Sequence, residues 1–189
     1  MKAKILALKP TQFAVGMDEV EFRVKEMKRM KPVQLHDYLH AHKIPVVRGP
    51  GGLYLIDKHH LVRACWEMGL THVPVNIVGD LSKSKNFQCD MEDANWVYLT
   101  DQFGNADHSI NELPVNVRGL ADNDWRSLAW KVRVEGGFDK VHVPFSEFKW
   151  AEFFRKKLSS KGGSTDVQAA LKLCKSPAAK HLPGHKRGK

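Results

Sequence analysis

Apolar positions along this chain change period several times, and each change marks an element. Leu61, Ala64, Cys65 and Met68 fall at i, i+3, i+4 and i+7, which predicts a helix opening near His59. Just before it, Leu53-Tyr54-Leu55-Ile56 reads as a strand. Residues 44–48 read as its partner across Gly49-Pro50-Gly51-Gly52, a hairpin signal. Residues 5–8 and 72–78 read as further strands. A helix is expected from Asp18, an N-cap residue type, to Met30, with Val20, Val24 and Met27 turned inward. Pro32 breaks it, and residues 33–42 form a second helix. Residues 86–95, 124–135 and 145–158 complete the helical set, Gly136-Gly137 ending the middle one. The aromatics crowding the last of these are expected in a core rather than on a base-stacking surface. No internal repeat interrupts the series.

The predicted helix at His59 carries the chain's most informative chemistry. At 100° per residue, His59, His60, Arg63 and Glu67 fall opposite its apolar stripe. A strand running into a helix start offers backbone N–H groups, which favour an anion. Two imidazoles and a guanidinium beside them make the junction a candidate phosphate site. The competing reading of the same histidines is capping or packing. A metal site is not expected, because adjacent His side chains diverge on a helix and no further His or Cys follows at i+3 or i+4.

At 189 residues the chain is long enough for a real core. No run approaches a membrane span, the start lacks the apolar stretch of a signal peptide, and three widely spaced cysteines give neither a disulfide framework nor a CxxC metal site. A reducing cytoplasm is expected. The net charge of +9 is concentrated: residues 155–189 hold ten Lys or Arg against one acidic residue, Asp166, so the remainder is neutral. This terminal segment is rich in Ser, Gly and Pro and reads as mostly disordered, apart from a short helix near residues 167–174. It is either a solubilising tail or a nonspecific nucleic-acid arm.

The run Ile56-Asp57-Lys58-His59-His60-Leu61-Val62-Arg63-Ala64 resembles the signature loop of the ParB/sulfiredoxin superfamily. Partition proteins of that group carry Gly-Glu-Arg-Arg-x-Arg-Ala there, and sulfiredoxins carry Gly-Cys-His-Arg. Lys9-Pro10-Thr11-Gln12, Val15-Gly16 and Ile44-Pro45-Val46-Val47 extend the resemblance. The segment from Pro144 to Arg155 resembles a stand-alone group of ParB-like proteins labelled as nucleases. Together these pieces cover roughly residues 5–155. Lys58 replaces the box glycine, His59 stands where relatives have Cys or Glu, His60 matches the sulfiredoxin His, Leu61 departs from an Arg, and Arg63 matches the last box Arg. Without the Cys thiolate, sulfinic acid repair is excluded.

The resemblance implies an α/β (α+β) fold: a small mixed sheet with surrounding helices and a helical C-terminal extension. The expected division is a ParB-like domain at 1–95, a helical extension packed on it at 96–158, and a basic tail at 159–189. It also implies a nucleotide phosphate on the loop. Lys58, His60, Arg63, Thr11 and Gln12 would bind it, and His59, His60 and Asp57 would carry the chemistry. The cofactor stays open, a nucleoside phosphate with Mg2+ being compatible with this reading; the partner is a nucleotide or nucleic acid, with no membrane. Two function classes follow: a phosphodiester- or nucleotide-directed enzyme of nuclease type, and a noncatalytic DNA-associated module using the basic tail.

Overall fold

In the computed structural model, which describes residues 1–158 and 166–186, the chain opens with strand β1 (Lys2–Lys4), a 3-10 turn at Ile5–Ala7, β2 (Leu8–Pro10) and β3 (Ala14–Val15). Helices α1 (Met17–Lys28) and α2 (Pro32–Ala41) follow, then the hairpin β4 (Ile44–Gly49) and β5 (Gly52–Leu55), α3 (His59–Glu67) and β6 (His72–Asp80). The remainder is α4 (Phe87–Asp93), β7 (Ala121–Asp122), α5 (Asp124–Val134), α6 (Ser146–Leu158) and α7 (Val167–Cys174). The fold is α+β, with a five-stranded mixed sheet ordered β1-β6-β4-β5-β2 and a small parallel pair β3-β7.

In place of the expected strand at residues 5–8, Ile5–Ala7 form a 3-10 turn between two short strands, and only Leu8 of that run is in one of them. Topology gives the reason. β1 pairs antiparallel with β6 at one edge of the sheet, and β2 pairs parallel with β5 at the other. Lys4 and Leu8 are four residues apart, a reach of at most ~14 Å. Five flat strands would span ~19 Å between edge strands. The sheet therefore curls so that its edges approach, and the chain breaks at Ile5 to cross between them.

Period-two alternation sets which face each strand residue serves. Val46 and Leu55 are cross-strand partners and lie in the main core with Leu61, Val62, Ala64 and Cys65 of α3. Their neighbours Val47 and Tyr54 face the opposite side, packing with Met91, Val97 and Phe87. The β4/β6 register slips between Val46 and Val47, and Gly79 sits at the slip opposite Val47. A Cβ there would lie 2.8 Å from the Trp96 ring, so only glycine fits without displacing it. Helix α1 is capped at Gly16, two residues before the Asp18 cap that the sequence suggests, with Met17 N–H donating to Asp122 Oδ1 at 3.0 Å.

The chain divides into two compact units, Met1–Asp122 and Asn123–Lys189. The second unit centres on Trp150 and Phe138, stacked at 4.3 Å, with Phe153 and Phe154 of α6 completing the aromatic core. Glu147 pairs with Arg126 and with Arg133 (2.6 Å), joining α5 to α6. The terminal segment corrects the expectation of disorder. Ala170, Cys174, Ala179 and Leu182 are buried in this cluster, Asp166 caps α7, and Pro183 O accepts from Trp150 Nε1 at 2.7 Å. Its spaced apolar residues find a face ready to cover, which outweighs the Ser/Gly/Pro-rich composition. Residues 159–165 and 187–189 of the expected tail lie outside the described residues. Among the described residues no helix is long and apolar enough to cross a membrane.

Candidate functional site

The β5–α3 junction turns on Lys58, which caps α3 with φ 63° and ψ 29°, in the left-handed region. A non-glycine residue there costs ~1–2 kcal/mol. Asp57, exposed, braces the turn by accepting Lys58 N–H on Oδ1 at 2.6 Å. Lys58 Nζ donates to Lys43 O at 2.9 Å. The two lysines, His40 and Asn76 line an open cavity of about 420 Å3 beside the start of α3. No carboxylate is in that lining, and the helix N-terminus adds positive potential. The sequence missed His40, Lys43 and Asn76. Only the parallel pairing of Pro45 with Asn76 brings Asn76 to Lys43, and no local pattern reports that pairing.

The two box histidines, expected opposite the apolar stripe, are buried there, at 4% and 8% exposure. The face opposite the apolar stripe is itself covered, by the residues 11–16 loop and by α1. His59 Nε2 accepts Thr11 N–H at 3.2 Å, while Thr11 Oγ1 donates to Leu55 O at 2.8 Å. Burial drives the His59 imidazolium down to about 3, against a backbone hydrogen bond with Leu55 that favours it. The ring is therefore neutral at ordinary pH. His60 Nε2 accepts Gly16 N–H at 3.0 Å, fixing the N-cap of α1. It also lies 3.7 Å from Glu19 Oε2, whose other oxygen takes Arg23 at 2.7 Å. With the acceptor nitrogens engaged by backbone N–H, neither imidazole is poised to take a proton from a ligand.

The other expected contacts are likewise drawn into the fold. Arg63, its side chain 13% exposed, donates to Val117 O (3.1 Å), Leu120 O (2.9 Å) and Glu67 Oε1 (2.7 Å), and lies over the Trp66 ring. Gln12 donates to Ala14 O at 2.6 Å and bridges to Tyr98. Thr11 is 1% exposed. Burial also pushes the Cys65 thiol up to about 12, so it is no nucleophile. Among the described residues no three His, Cys, Asp or Glu converge to hold a metal ion. The residues at the cavity fit a phosphate and do not fit a protein-held divalent cation.

Residues 1–156 match the family described as "Putative ParB-like nuclease". The crystal structure of protein Atu1540 from Agrobacterium tumefaciens is similar over 100% of this chain and 97% of its own, with 38% identity and a TM-score of 0.87. No curated protein matches. With the box residues at the head of α3 in a curled mixed sheet, and the match running through α6, the chain belongs to the ParB-like nuclease family.

Proposed function

We propose that this chain binds the phosphate of a nucleotide or nucleic acid in the cavity at the head of α3, with Lys58 as the principal contact, Lys43 and His40 beside it. In this reading the binding is the recognition step of a phosphodiester- or nucleotide-directed role, of which the family description names the nuclease form. The observation that carries the reading is Lys58 itself. It holds a left-handed backbone at the position of glycine in the box that the sequence resembles, and that conformation sets its side chain in the lining of a cavity without a carboxylate. Cations beside a helix N-terminus favour a phosphate. His59, His60 and Arg63 act one step back, as tethers that fix the loops around the helix. The packing of residues 166–186 leaves less support for a free basic arm as the main nucleic-acid contact.

Lys58→Gly separates this reading from a structural one. Glycine relieves the strain, so the thermal midpoint should hold or rise. Loss of a charge-assisted bond to phosphate should weaken binding of inorganic pyrophosphate or a nucleoside triphosphate by roughly 10- to 150-fold in calorimetric titration. Binding equal to that of the wild type would refute the proposal.

A further inference from the structure

A second group of polar side chains, between Asp101 and Ala121, is untouched by the α3 site. Asp101 Oδ1 accepts Phe103 N–H (2.8 Å) and Asn105 N–H (2.9 Å), and its Oδ2 accepts Asn105 Nδ2 (2.9 Å). These bonds fix the residues 101–105 turn. Burial raises the Asp101 carboxyl, but the hydrogen bonds from Asn105, Phe103 and His108 outweigh it and hold the group at about 2. His108 sits between two carboxylates, Nε2 to Asp101 Oδ2 and Nδ1 to Glu112 Oε1, each at 3.3 Å, and packs on Phe13 at 4.7 Å. Its bond to Glu112, then that to Asp101, favours the imidazolium against burial. Glu112 also takes Ser109 N–H at 2.6 Å.

This network ends at an open cavity of about 520 Å3, lined in part by Phe13, Gln102, Glu112, Asn116 and Arg118. Its one carboxylate, Glu112, is already engaged by His108 and Ser109. Arg118 is exposed, and its guanidinium has no partner among the described residues. Next to Gln102, Phe103 is 72% exposed on the fixed turn; Val115, in the lining, is 81% exposed. A guanidinium in the lining of a cavity of ligand size, and a large aromatic held outward on the turn that follows Gln102 of that lining, form a set suited to one nucleotide.

We propose that this cavity receives one nucleotide unit of a single-stranded nucleic acid. Arg118 takes its phosphate, Phe103 stacks on its base, and Asn116, whose Oδ1 is held by Arg118 N–H, turns its amide Nδ2 to the base edge. His108 serves this by keeping Glu112 engaged, so that the wall does not repel an anion. The choice of nucleic acid over a free anion or a peptide rests on the proposed phosphodiester-directed role; the position of the site does not.

The test is fluorescence anisotropy of a short labelled oligodeoxythymidine with the full chain, its Arg118→Ala and Phe103→Ala variants, and Lys58→Gly. Each of the first two should bind roughly 5- to 100-fold more weakly, with an unchanged thermal midpoint because both side chains are exposed. Arg118→Ala should also lower the salt slope by about one, and Phe103→Ala should not. Wild-type affinity in both variants overturns the inference, as does loss of binding in Lys58→Gly alone, which would place the strand at α3. Failure of the wild-type chain to bind the strand while it binds pyrophosphate overturns the inference and leaves the α3 reading standing. Strand binding sensitive to Arg118 and Phe103, with no pyrophosphate binding, supports the inference and removes the α3 reading.

Discussion

Replacing His59 with Gln tests whether the box imidazole is a neutral, buried tether. Its Nε2 accepts the Thr11 amide at 3.2 Å inside the protein, and burial holds its titration at about 3 rather than near the ordinary 6.5. Between those values the unfolded chain binds a proton that the native chain refuses. Stability from this group is therefore complete above about pH 6.5 and is lost as pH falls toward about 3. Near pH 5 the loss is ~2 kcal/mol, and below both values it reaches ~5 kcal/mol, at ~1.4 kcal/mol per pH unit. The Gln amide keeps an acceptor for Thr11 but cannot titrate. Hydrogen exchange of peptides covering α3 reports opening of the first unit, and comparing wild type with variant at each pH cancels intrinsic exchange rates. On going from about pH 7.5 to about pH 5, wild type should lose ~2 kcal/mol more protection than His59→Gln. Parallel losses in the two proteins would refute the reasoning, because the imidazole would then be charged or solvated in the native state and free for proton transfer.

Two further outcomes are expected. Arg63→Ala strands the carbonyls of Val117 and Leu120 and should cost ~2–3 kcal/mol in denaturant unfolding, while pyrophosphate affinity stays within about twofold; lost binding with intact stability would return Arg63 to the ligand-contacting role implied by the family resemblance. Truncation after Leu158 strips Ala170, Cys174, Ala179 and Leu182 from the Trp150 cluster and should destabilise the second unit by at least ~3 kcal/mol, read as loss of near-ultraviolet tryptophan circular dichroism on heating; an unchanged midpoint would mean that the segment is a dangling tail after all.

Local pattern made most of this fold legible. The hairpin flanking Gly49 to Gly52, the inward Val20 and Met27 of α1, and the aromatic face of α6 follow from period and turn chemistry, and the structure places all of them as expected. Residues 5–8 failed because a short apolar run does not say that it is the crossing between strands at opposite edges of a curled sheet. The terminal segment failed for a related reason. Composition records that Ala170 and Leu182 are sparse among breakers, but not that Trp150 and Phe138 present a surface for them.

The box shows where such reading stops. Periodicity separated His59, His60 and Arg63 from the apolar stripe correctly, and what it could not report is that this polar face is covered. Their partners are Thr11, Gly16, Val117 and Leu120, between 44 and 57 residues away, and contacts at that range leave no trace in a helical period. A helix with one apolar face on a sheet can still be enclosed when the chain supplies loops whose backbone donors and acceptors need partners. Imidazole nitrogens meet the N–H groups of Thr11 and Gly16; the guanidinium meets the two carbonyls. The polar face thus satisfies buried backbone, and the residues that resemble a ligand loop become the means of closing the fold. Lys58 differs in lying outside the helix, in a left-handed conformation that brings its ammonium to the exposed Lys43 carbonyl at the edge of the cavity rather than into the buried face. The departure from glycine was visible in the sequence, whereas its positive φ, and hence its meaning, required the fold.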